Sequence, residues 1–181
     1  MLSIEIPERE FYDETKEEFI KIKKATLNLE HSLVSISKWE AKWHIPFFES
    51  EKTPEQAIDY IRCMTLNHEI RNDSLVYQAL TLEDINKINE YIDNPMTATT
   101  IKDVAGSRRQ SQLVTSELIY YWMISYNIPS SYEKWHINRL IMLIRVCSEE
   151  NKPKRKMTQK EIMAQNKARN AARKAKLKAK R

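Results

Sequence analysis

One glycine, Gly106, serves a chain of 181 residues. A glycine-poor backbone is restricted in two ways. It seldom turns through positive φ, and it seldom lets a phosphate approach closely. Dinucleotide-binding and P-loop folds depend on glycine at fixed spacing, and neither GxGxxG nor GxxxxGK[ST] occurs here. Sheet-rich folds with many tight turns are disfavoured for the same reason. What remains is a mainly helical chain, α+β in class. We expect a short N-terminal β-ribbon, then a multi-helix bundle, then an exposed basic helix.

The charge distribution supports a division of this kind. Residues 151–181 hold 13 Lys+Arg against one acid, Glu161, whereas residues 1–150 hold 17 against 24. Opposite signs mark two different physical objects. The division expected is 1–30 ribbon, 31–150 helical body and 151–181 basic tail. The body is long enough to bury a core without metal or disulfide. Cys63 and Cys147 therefore read as buried thiols rather than a bridge. The N-terminus has no basic and apolar leader pattern, and no apolar run reaches membrane-spanning length, so a cytoplasm is expected.

Periodicity places the elements. Leu2, Ile4 and Ile6 alternate with polar residues, as do Ile20 and Ile22, then Leu27 and Leu29. A charged turn is expected at 13–18. The change of phase between Ile22 and Leu27 predicts a bulge or second turn at Lys23-Lys24. Helical spacing begins after Ser32, with Leu33, Ile36, Trp39, Glu40 and Trp43 on one face and Pro46 as the stop. Thr53-Pro54-Glu55-Gln56 and Thr81-Leu82-Glu83-Asp84 read as capping boxes. The first opens a helix with Ala57, Ile58, Ile61 and Met64 inward. The second opens one with Ile85, Ile88 and Ile92. Residues 96–110 read as a long, mobile connection. A strongly apolar central helix is expected over 111–127. Ser130-Ser131-Tyr132-Glu133 reads as a third capping box, for a helix over 132–147, and Thr158-Gln159-Lys160-Glu161 as a fourth, for the tail helix.

No catalytic, cofactor-binding or metal-binding constellation stands out. The histidines at 31, 44, 68 and 136 form no ligand pair at helical spacing and read as surface or capping residues. Paired carboxylates such as Glu149-Glu150 sit in charged runs, and no GxSxG surrounds the serines near His31. The remaining candidates are binding residues. Trp39 and Trp43 lie one turn apart, and Tyr120, Tyr121, Trp122 and Tyr126 crowd another helix. Most such aromatics pack in cores, but a few can line a groove for an apolar partner helix. In the tail, Arg169, Arg173 and Lys174 are candidate contacts for phosphate or for an acidic protein. No aromatic occurs in residues 151–181 to stack on bases, so the tail is a sequence-independent electrostatic device.

Several strings carry a family resemblance: LEHSLVSISKWEAKW (29–43), IDYIRCMTL (58–66), NPMTATTI (94–101), SELIYYWMISYNIP (116–129), KWHINRLIMLIRVC (134–147) and EIMAQNKARNAARKAKL (161–177). Together they resemble the tail assembly chaperones of long-tailed, siphovirus-type bacteriophages. The resemblance implies a protein that is not an enzyme and needs no cofactor. It would coat the tape measure protein in the host cytoplasm until tail tube protein polymerises around it, and be absent from the mature virion. A homo-oligomer stays open, as does a non-specific nucleic-acid contact through residues 152–181. The alternatives are a nucleic-acid-associated phage protein and a minor structural component of the virion.

Overall fold

The computed structural model describes residues 1–13, 17–101, 113–151 and 159–178, with the side chains of all of these except 11, 13, 18 and 174–178. The chain is mainly helical with a small N-terminal sheet region. It divides into two compact units, Met1–Glu149 and Glu150–Arg181. The ribbon is thus part of the body rather than a domain of its own. The reason is burial: Ile4, Ile6, Leu27 and Leu29 are 4% exposed or less and belong to the same core as the helices.

Strands β1 (Leu2–Ile6) and β4 (Ala25–Leu29) pair antiparallel, as do β2 (Arg9–Asp13) and β3 (Glu18–Ile22). Neither a bulge nor a second turn separates them. Ile6 pairs with Ala25 and Arg9 with Ile22, three residues further along each strand, so no residue is inserted. The ladder instead breaks on both strands, at 7–8 and 23–24. Pro7 has no N–H to donate to a ladder. Across the break the ribbon turns its other face to the core, which buries Ile22 and produces the change of phase. The turn expected at 13–18 falls largely outside the described residues.

At its base the ribbon docks on the end of a helix. Glu30 N donates to the Met64 carbonyl at 3.0 Å, and Leu66 N to that of Asn28 at 2.8 Å. That helix is α2 (Pro54–Met64), opened by the expected box between Thr53 and Gln56. Its inner face differs from the expectation: Asp59, Tyr60, Ile61 and Met64 are buried, whereas Ala57 and Ile58 are exposed. Two polar side chains turn inward because partners await them there. Asp59 accepts from Trp43 Nε1 at 2.9 Å, and Tyr60 meets His31 at 2.5 Å.

Helix α1 (Leu33–Trp43) starts from a box between Ser32 and Ser35. It ends before Pro46, at His44 in the left-handed region with φ 56°. The two short helices α3 (His68–Arg71) and α4 (Ser74–Gln78) leave too little sequence to show a period. Helix α5 (Leu82–Asp93) follows its expected box, with Ile88 and Tyr91 buried. The connection expected at 96–110 lies, from 102 onward and including Gly106, outside the described residues.

Helix α6 (Ser116–Ser125) starts later than expected, capped by Thr115, and buries only Ser116, Ile119 and Met123. It is therefore not a fully enclosed central helix. It ends on Asn127 in the left-handed conformation, with Ile128 N bonded to Met123 O and Asn127 N to Ile124 O. That is a Schellman motif built without glycine, asparagine being the next best residue for the position.

Ser130-Ser131-Tyr132-Glu133 forms no capping box. Residues Ser130–Lys134 make a 3-10 turn, and α7 (Ile137–Glu150) begins after it. The start of α7 is met by backbone instead: Ile137 N donates to His31 O at 2.7 Å, and His136 bridges to Ser32. In the second unit α8 (Gln159–Lys178) is one helix, and every residue from 159 to 173 is exposed. The box expected at Thr158 lies outside the described residues.

Candidate functional site

The expected groove around Trp39 and Trp43 is filled. Trp39 is 0% exposed, its Nε1 donates to Gln56 O at 2.9 Å, and its ring meets Phe47 edge-on at 5.3 Å. Trp43 is half-buried and held to Asp59, which Lys42 also engages at 2.6 Å. Both tryptophans join α1 to α2 and offer no open groove to a partner.

The aromatics of α6 separate by face. Tyr120 donates to Glu133 at 3.0 Å, and burial with that bond pushes its hydroxyl up to about 12. Trp122 and Tyr126 are half-buried against the core. Tyr121 is different. It is 62% exposed, and Ile124, one turn on, is 75% exposed. Residues at this spacing lie on one helix face. Leu113, just before the helix, is exposed as well. The outer side of α6 thus presents two large apolar side chains beside the exposed Glu117 and Ser125. An exposed aromatic pair, Tyr12 and Phe19, sits across β2 and β3 with ring centroids 5.1 Å apart. Arg169 and Arg173 are exposed on α8, and the side chain of Lys174 lies outside the described residues.

Sequence reasoning missed a buried polar junction. His31 and His136, expected at the surface or in caps, are 2% and 6% exposed, with ring centroids 5.0 Å apart. Tyr60 keeps its proton, since burial raises its pKa, and shares a hydrogen bond with His31 Nδ1. His136 Nε2 donates to the Tyr91 carbonyl at 2.9 Å, and Tyr91 OH donates to Glu30 at 2.6 Å. These bonds join β4, α1, α2, α5 and α7 where the ribbon meets the helices. Burial, then the neighbouring His136, lowers the His31 pKa to about 3. A cleft of about 280 Å³ beside the junction is lined by Glu30, Tyr91, Lys134, Trp135, His136 and Arg139 among others. The only signal in the sequence was the position of His31 and His136 at the starts of α1 and α7, where chain segments converge.

Acid should weaken the fold through His31. An unfolded histidine titrates near 6.5, so above that pH both states are neutral and stability is full. Below it the unfolded chain gains a proton that the folded one refuses until about pH 3. Stability is therefore lost as pH falls through that window, by about 2 kcal/mol at pH 5. Urea unfolding at pH 7 and pH 5 should show this loss, and a His31→Gln chain should show less of it. Equal pH dependence in the two chains would remove His31 as the cause.

Cys63 and Cys147 form no disulfide and are half-buried, and burial pushes the Cys63 thiol up to about 11. Among the described residues no group of His, Cys, Asp and Glu is placed to hold a metal, and no helix is long and apolar enough to cross a membrane. Against known proteins, the chain matches no family model, no curated protein and no solved structure.

Proposed function

We propose that this protein is a tail assembly chaperone of a long-tailed bacteriophage. It binds the tape measure protein in the host cytoplasm and releases it as tail tube protein assembles. One observation supports the reading beyond the sequence resemblance: Tyr121 and Ile124 leave two large apolar side chains open on one face of α6, above a closely packed core. Uncovered apolar surface of this kind serves recognition. A tape measure protein, as a long chain with amphipathic helices, supplies an apolar stripe that fits such a face. Masking that stripe needs binding and no chemistry.

The test is co-expression with the tape measure protein of the same phage, followed by a pull-down at low and high salt. Apolar contact predicts capture that survives high salt. Tyr121→Ser with Ile124→Ser should leave the fold intact, because both side chains already face water. Burial of such a side chain contributes about 1.5–3 kcal/mol. Losing both should therefore weaken capture at least tenfold. Undiminished capture by the double variant would move the site elsewhere. Stoichiometric protein in purified particles would instead support a virion component.

A further inference from the structure

Helix α8 is a candidate binding element in its own right. Its residues from 159 to 173 are all exposed, and the helix holds seven Lys+Arg against Glu161 alone. Their arrangement around the axis narrows the partner. An α-helix turns about 100° per residue. On that count Lys160 and Lys167 lie on one flank, and Arg169 and Arg173 lie about 150° away on the other. Asn166, Asn170 and the exposed Met163 occupy the strip between the flanks. Ala168, Ala172 and the acid Glu161 lie on the far side. The sequence continues both rows at the same spacing, with Lys174 on the first and Lys176 on the second.

A flat acidic protein surface engages one flank and leaves the other in water. Two flanks find anions at once only in a groove with an anionic wall on each side. Single-stranded nucleic acid is bound by aromatic stacking together with charge, and residues 151–181 contain no aromatic. The major groove of an A-form duplex is too deep and narrow to be read by side chains. B-form DNA has a major groove about 12 Å wide, and a helix with its side chains measures about 10–12 Å.

We propose that α8 lies in the major groove of duplex DNA. Lys160 and Lys167 meet the phosphates of one wall, Arg169 and Arg173 those of the other, and Asn166 and Asn170 face the base edges. The alanine side faces out, so the helix enters without steric obstruction and its one acid points away from the phosphates. Binding is largely independent of base sequence, because the cations contact the backbone. This inference does not rest on the chaperone reading and uses none of the same residues.

The experiment is fluorescence anisotropy of the full chain with a labelled mixed-sequence DNA duplex of about 20 base pairs, across a salt series. With about four to six phosphates neutralised, the logarithm of the binding constant should fall against the logarithm of salt with a slope of roughly −4 to −5. Lys160→Gln with Lys167→Gln should weaken binding about tenfold and flatten the slope by about 2. Arg169→Gln with Arg173→Gln should do the same. Ala168→Gln with Ala172→Gln, on the far side, should bind as the parent does. Loss from one flank alone would overturn the groove in favour of a flat acidic protein face. Tighter binding to single-stranded DNA or to duplex RNA, or equal loss from the alanine side, would overturn it as well.

Discussion

Trp39→Ala is expected to lower the stability of the body by roughly 3–5 kcal/mol, the usual cost of emptying a large aromatic site in a core. The side chain has no exposed surface, so every contact it makes is internal. It packs edge-on against Phe47 and lies 6.5 Å from the Trp43 ring, and its indole N–H satisfies the Gln56 carbonyl in the first turn of α2. Removing it opens a cavity between α1 and α2 and takes the side-chain bond from that carbonyl. Trp39→Phe should cost less, because most of the volume returns and only the hydrogen bond is lost. Thermal unfolding followed by circular dichroism measures both. An alanine chain that melts with the parent would mean that the core does not depend on this contact.

Replacing Glu40 should be at least as costly, for a different reason. Its carboxylate is 8% exposed and accepts two backbone donors, Phe47 N at 2.8 Å and Ser116 N at 2.8 Å. One side chain of α1 thereby holds the loop after α1 and the first turn of α6, 76 residues further along the chain. The N-terminus of α6 favours a negative charge through its free N–H groups. Hydrogen bonds to a charged group contribute about 1.5–3 kcal/mol each, so Glu40→Ala should cost roughly 3–6 kcal/mol. Glu40→Gln preserves the shape but keeps one acceptor oxygen for two donors, and should fall between alanine and the parent. If urea midpoints of Glu40→Gln and the parent coincide, charge is not what holds α6. The proposed partner face is on α6, so Glu40→Ala should also reduce capture of the tape measure protein, whereas Trp43, on the α2 side of α1, should matter less to it.

Much of the architecture was legible because it is written locally. Boxes at Thr53 and Thr81 are short-range hydrogen-bonding patterns, and both form with their third residue. Alternation at Leu2, Ile4 and Ile6 marks a half-buried strand wherever the strand is placed. The Ser130 box failed because its competitor is not local: the carbonyl of His31 supplies the first acceptor of α7, far away in sequence. The face of α2 was misjudged for a related reason. Apolar spacing favoured Ala57 and Ile58, but buried partners for Asp59 and Tyr60 came from α1 and from the end of β4. The candidate residues divided in the same way. Trp39 and Tyr121 are both large aromatics on helices, and only packing shows that one is fully enclosed and the other open.

By itself the sequence determined the order of the longer elements, the near-absence of glycine-dependent turns and nucleotide loops, and the separation of an acidic body from a basic helix. These follow from composition, from periodicity and from contacts within a few residues. Tertiary structure alone decided that the ribbon shares the helical core, that His31 and His136 are buried neutral at its junction, that Glu40 ties α6 to α1, and which aromatics remain exposed. Each of these depends on groups distant in sequence meeting in space, where desolvation and the partner at hand, rather than residue type, set what a side chain does.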